Sequence, residues 1–159
     1  MANYAWVVSR RGAVGEPGTG WQAYIAYYDT DKGSWVKLLG YRDAPGDAVT
    51  SITGRSAPLS GAGEDVVFAY RNQGTGQILS YDIVGTNSDP TILAHREISH
   101  GEATLDGPAI LDTEAQYPND EPNCCPAYFQ QNRVSWRDSD GVFVVTPTSR
   151  QSEPQRGDF

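Results

Sequence analysis

No segment of helical length in this chain carries apolar residues at the i, i+3, i+4, i+7 spacing of an amphipathic helix. What recurs is short runs of aromatic and β-branched residues, punctuated by Gly, Pro, Asn and Asp. The first kind of residue suits pleated, half-buried strands, and the second supplies turns. The pattern predicts a mainly β fold. It would be a single antiparallel β domain, sandwich or barrel-like, built of hairpins with little helix. A length of 159 residues fits one such domain with a real core.

Tyr4–Ser9 reads as a first strand, followed by a glycine-rich loop from Gly12 to Gly20. Trp21–Tyr28 and Ser34–Tyr41 form the clearest hairpin, joined by Asp29-Thr30-Asp31-Lys32-Gly33. Apolar groups on both faces of Trp21–Tyr28 mark it as a central strand covered on two sides. A long loop, Arg42 to Glu64, holds one short strand near Val49–Thr53. Asp65–Arg71 and Gln77–Val84 make a second hairpin across Asn72-Gln73-Gly74-Thr75-Gly76. Leu79, Tyr81 and Ile83 alternate there with Ser80 and Asp82, the signature of one buried face. Thr91–Ser99 is a strand or a short helix, and Ala109–Thr113 a short strand. Glu114–Pro126 is an acidic loop. Tyr128–Arg137 and Val142–Thr146 close the domain as a hairpin across Asp138-Ser139-Asp140-Gly141. The domain spans residues 1–147, and 148–159 form a polar, frayed tail.

Charge removes some functions. Lys and Arg number 12 against 20 Asp and Glu, a formal charge of −8. Nucleic-acid binding depends on Lys and Arg neutralising phosphates, and no basic run exceeds Arg10-Arg11. An anionic membrane surface is disfavoured for the same reason. No apolar run approaches the roughly 20 residues of a membrane helix. The opening Met1-Ala2-Asn3-Tyr4 does not read as a signal peptide. Either the protein is intracellular or an export segment has been removed.

Cys124 and Cys125 are the only cysteines, adjacent within Asn123-Cys124-Cys125-Pro126. Consecutive Cα atoms lie about 3.8 Å apart, whereas a relaxed disulfide wants roughly 4.4–6.8 Å. Three readings stand: two small buried inert residues or reduced thiols in a cytosolic protein, a strained vicinal disulfide, or a redox or metal role. A zinc site needs about four ligands, and His95 and His100 are the only other soft donors, so structure ranks above metal. The run Pro122-Asn123-Cys124-Cys125-Pro126, then Val134-Ser135-Trp136-Arg137, then Val142-Phe143-Val144, resembles small secreted or lipid-anchored actinobacterial domains of the LppP/LprE lipoprotein type. Asp65–Tyr70 and Gln77–Tyr81 are similar to the two strands such domains place before that motif. The resemblance covers roughly Val49 to Val145. It departs in having no lipobox cysteine near the start, and in the acidic turn degraded to Gly61-Ala62-Gly63-Glu64-Asp65. It implies an extracytoplasmic location more than an activity, and there the disulfide becomes the favoured state.

Other chemistry is sparse. Asp29-Thr30-Asp31-Lys32-Gly33 and Asp138-Ser139-Asp140-Gly141 echo the start of a calcium loop, but position 12 from Asp29 is Gly40, not the required Glu. Asp112, Glu114, Asp120 and Glu121 could attract a cation, with a solvated acidic loop as the default. A Ser-His-Asp triad would have to use His95 or His100, and no Gly-x-Ser-x-Gly elbow surrounds a serine. Trp21, Tyr24, Tyr27, Tyr28, Trp35 and Tyr41 cluster in one hairpin. Most should be core, but Trp21, Tyr24, Tyr28, Trp35 and Tyr41 are the candidates for a flat platform binding a sugar or partner protein. Arg156-Gly157-Asp158 spells a tripeptide that arises often by chance.

The expectation is a non-enzymatic, secreted or envelope-associated β domain without a cofactor, serving as an accessory or binding module. Its partner would be a protein or envelope component. Alternatives are a self-assembling subunit of a phage particle or filament and, more weakly, a cation-dependent hydrolase.

Overall fold

The computed structural model describes residues 4–11, 20–42, 49–72, 77–86 and 90–159, by backbone alone at positions 4, 9–11, 20–22, 38–42, 49, 50 and 72. Eleven strands and no helix occur among the described residues. They are β1 (Tyr4–Arg11), β2 (Gly20–Asp29), β3 (Ser34–Arg42), β4 (Val49–Ala57), β5 (Asp65–Asn72) and β6 (Leu79–Gly85). Then follow β7 (Thr91–Ile98), β8 (Glu102–Asp106), β9 (Ala109–Gln116), β10 (Tyr128–Arg137) and β11 (Val142–Gln151). All pairs are antiparallel, and within each sheet strands adjacent in sequence are adjacent in space. The hairpins thus sort into three meanders: β1-β2-β3, β4-β5-β6-β7 and β8-β9-β10-β11.

The middle sheet is covered on both faces. On one side Ile52, Val66, Phe68 and Val84 pack with Ala23 and Ile25 of the first sheet. On the other, Val67, Ala69, Leu79, Tyr81 and Ile83 pack with Ala103, Ile110 and Val134 of the third. Every residue of β6 is consequently buried. Fully burying an aliphatic side chain of this size contributes about 1.5–3 kcal/mol, so the two faces of this sheet dominate the core. This corrects two expectations. The strands enclosed on both sides are β6 and most of β5, not the Trp21–Tyr28 segment, whose Tyr24, Tyr27 and Tyr28 are only half-buried. The period-2 pattern of β6 also does not separate core from solvent, because Ser80 and Asp82 face the first sheet and are buried too.

Turn chemistry explains the hairpins. Asp29 Oδ1 accepts the backbone N–H groups of Asp31 and Lys32, each at 3.1 Å, and Lys32 Nζ lies 2.9 Å from Oδ2. The carboxylate that echoed a calcium ligand is thus used by its own turn. Gly33 and Gly141 close two of the three predicted hairpins in the left-handed region, at φ 63° each. Between β4 and β5, the buried Asp65 carboxylate organises the loop. It accepts the N–H of Leu59 at 3.0 Å, the N–H of Ser60 at 2.6 Å and the Ser60 hydroxyl at 3.0 Å.

Several boundaries differ from the sequence reading. The strand placed near Val49–Thr53 runs to Ala57, and Ala109–Thr113 extends to Gln116. Thr91–Ile98 is a strand, since its Ala94, Arg96 and Ile98 face the third sheet. Glu102–Asp106 was not read as an element and forms the edge strand β8. The final strand passes Pro147, accommodated by an irregularity in the pairing at Gln131/Asn132, and reaches Gln151. Residues 157–159 then lie against β8 rather than fraying: the Asp158 N–H donates to Ala103 O at 2.9 Å, and Phe159 packs on the core. Residues 1–3, 12–19, 43–48, 73–76 and 87–89 lie outside the described residues.

Candidate functional site

The outward face of the first sheet is built by β-strand alternation. Ala23 and Ile25 of β2 turn toward the middle sheet and are buried, so Tyr24, Ala26 and Tyr28 turn away. Register carries the same face across the sheet: Val7 pairs with Tyr24, Lys37 with Ala26 and Trp35 with Tyr28. Trp35 and Tyr28 meet edge to face, with ring centroids 5.5 Å apart. Lys37 Nζ lies 5.6 Å from the Tyr24 ring centroid. Trp35 is 53% exposed, more than any other large apolar side chain among the described residues. On the opposite face Trp6 covers Gly54 of the middle sheet.

Of the five aromatic candidates, the structure brings Tyr24, Tyr28 and Trp35 onto this face. The side chains of Trp21 and Tyr41 lie outside the described residues. Lys37 was missed, although its place two residues after Trp35 puts it on the same face of any strand.

The cysteine pair sits in a second, separate place. Both thiols are exposed and free, with Sγ atoms 2.7 Å apart. Exposure removes the buried, inert reading. The turn around them is held by neighbours that the sequence did not connect. Cys125 N donates to Pro122 O at 2.8 Å, and the Tyr117 hydroxyl donates to Asn123 O at 2.8 Å. His100 Nε2 is 3.2 Å from Asn123 Oδ1, and its ring meets Tyr117 edge to face. The hydrogen bond with Cys124, then partial desolvation, raise the Cys125 thiol above its ordinary value. Desolvation first, and then the two nearby sulfurs, raise the Tyr117 phenol.

The carboxylates proposed for a cation do not converge. Asp112 is fully buried between the middle and third sheets. Its oxygens accept from Tyr81 Oη at 2.7 Å, Arg96 Nε at 3.2 Å and Asn132 Nδ2 at 2.8 Å. Burial, followed by the charge of Asp112, pushes the Tyr81 phenol far above its ordinary range. Glu114 is half-buried beside this network. Asp120 is exposed, and Glu121 caps Asn119 through its N–H and its side-chain amide at 3.0 Å each. Among the described residues no group of three His, Cys, Asp or Glu side chains could hold a metal ion.

The histidines also lie apart. His95 Nδ1 is 2.7 Å from the buried Asp82 Oδ1, and its Nε2 faces Glu97 Oε1 at 3.6 Å. This is the orienting half of a triad, but Nε2 meets a carboxylate rather than a nucleophile. The nearby Ser80 hydroxyl is buried and makes no hydrogen bond among the described residues. The Asp82–His95 pair escaped sequence reading because Asp82 stood at an alternating position that one-sided burial would place in water. Comparison of the chain with known protein families, with characterised proteins and with solved structures finds no match in any of the three.

Proposed function

We propose that this chain is a non-enzymatic binding module that acts outside the cytoplasm and holds a flat, partly polar ligand, a sugar ring in the first instance, against the outward face of its first sheet. The observation that carries this is the exposed Trp35 ring braced by Tyr28, with Lys37 over the neighbouring Tyr24 ring. Aromatic rings offer apolar area at low entropic cost. The ammonium of Lys37 adds a hydrogen-bond donor at the rim. The extracytoplasmic part of the reading rests on the resemblance of the Cys-Cys-Pro segment to secreted and lipid-anchored domains.

Titration with a panel of oligosaccharides, followed by NMR of the indole N–H groups, tests the ligand class. Shifts confined to the Trp35 indole, and abolished by Trp35→Ala with an unchanged melting temperature, are the expected result. Indole signals that ignore every sugar would sink it. A second reading, a subunit of a particle or filament, is favoured by one different observation, the docking of residues 157–159 on a sheet edge.

A further inference from the structure

We infer that the free edge of β8 is a peptide-binding groove whose occupant, residues 157–159, exchanges between copies of this chain. The groove has the elements of strand addition: main-chain pairing for affinity, and flanking side chains for selectivity. Asp158 N–H donates to Ala103 O at 2.9 Å. The Asp158 carbonyl and the Phe159 main-chain oxygen that follows it are each held by an arginine from the middle sheet. Arg55 Nη2 donates to Asp158 O at 3.1 Å and Arg71 Nη2 to Phe159 O at 2.9 Å. Arg71 also pairs with Glu102, which fixes its guanidinium for that task.

Sequence is read as well as backbone. The Asp158 carboxylate accepts from Thr104 Oγ1. The Phe159 ring joins the apolar cluster between the middle and third sheets, with Arg55 5.9 Å from its centroid. Gly157 passes so close that a Cβ there would sit 2.5 Å from Glu102 Oε2 and 2.9 Å from Ala103 O. The groove therefore selects a Gly-Asp-Phe segment. The Arg-Gly-Asp tripeptide noted in the sequence has a role here that concerns its own chain.

The tether permits exchange. Residues 157–159 leave β11, one edge of the third sheet, and reach β8, the other edge. Three strand spacings make about 14 Å. The five connecting residues, Ser152–Arg156, make six Cα–Cα steps from Gln151 to Gly157 and extend at most about 21 Å. Ser152, Glu153 and Pro154 are exposed, and Gln155 is tied to Gln131 Nε2 at 2.6 Å. The connection spans the sheet without strain, and the same segment docked on a neighbour keeps every groove contact. This goes beyond the binding-module reading and uses none of the aromatic face.

Sedimentation velocity of the full chain across a wide concentration range tests the exchange, with and without an amidated peptide of residues 152–159. The expected result is a monomer at low concentration and dimers or longer species at high concentration. Excess peptide should return these to monomer, and a peptide carrying Phe159→Ala should not. A monomer at every concentration overturns the inference. So do oligomers that the peptide leaves untouched, or that both peptides dissolve equally.

Discussion

The phenol of Tyr81 donates a 2.7 Å hydrogen bond to Asp112 Oδ2 across the boundary between the middle and third sheets, with both side chains out of contact with water. Arg96 supplies the compensating charge and Asn132 a further donor. A buried charge deprived of one partner is expensive. Asp112→Ala is therefore expected to cost about 3–5 kcal/mol in urea denaturation, and Tyr81→Phe about 1–3 kcal/mol. An Asp112→Ala protein as stable as the parent would contradict the enclosure of this pair.

Ser80 offers the opposite case. Its hydroxyl is buried in β6 without a hydrogen-bond partner among the described residues, and such a group carries its desolvation cost uncompensated. Ser80→Ala should raise the unfolding free energy by about 1 kcal/mol, measured by the same denaturation. A destabilised variant would mean the hydroxyl is satisfied.

Stability near Glu114 should depend on pH in a direction fixed by its surroundings. Burial above all, and the charge of Asp112, raise its carboxyl above the ordinary 4.5, against the pull of Arg96. A carboxyl raised in the folded state favours folding while protonated. That contribution is present below the unfolded value and is lost as pH rises through the folded one. Glu114→Gln should consequently raise the melting temperature at about pH 7 and leave it nearly unchanged at about pH 4. Equal shifts at both pH values would point to packing instead.

The thiols of Cys124 and Cys125 should react with each other before they react with anything else. Glutathione disulfide is expected to produce a chain two hydrogens lighter, with two equivalents of glutathione released and no covalent dimer, read by non-reducing mass spectrometry. Because its thiol is raised by Cys124, Cys125 should alkylate more slowly at neutral pH than an ordinary exposed cysteine. Disulfide-linked dimers as the main product would refute the pairing.

Fold class was legible because strand alternation and turn residues are local properties. The Asp29–Gly33 and Asp138–Gly141 turns could be read directly, each with its glycine at positive φ. What stayed hidden depended on partners distant in sequence. Asp82 and Ser80 look like surface residues until a second sheet covers them. Glu102–Asp106 is five residues long, and its Ala103 is a weak apolar signal until it meets the core. The polar composition of residues 148–159 suggests fraying because no local rule reveals a partner such as Arg55, 103 positions from Asp158. For the site, alternation could group Tyr24, Tyr28 and Trp35, but only packing decides which face of the hairpin meets solvent.

The enclosure of β6 sets an order on synthesis. Each meander is finished by the ribosome before the next begins. A chain made as far as Ile98 holds the sequence of all four strands of the middle sheet, but not the third-sheet residues that cover Leu79, Tyr81 and Ile83, nor Asp112, the partner of the Tyr81 hydroxyl. Until roughly fifty more residues emerge, this half-made protein carries an adhesive side. Nascent chains are most exposed to wrong partners in that interval, and a holding chaperone would find its footing there.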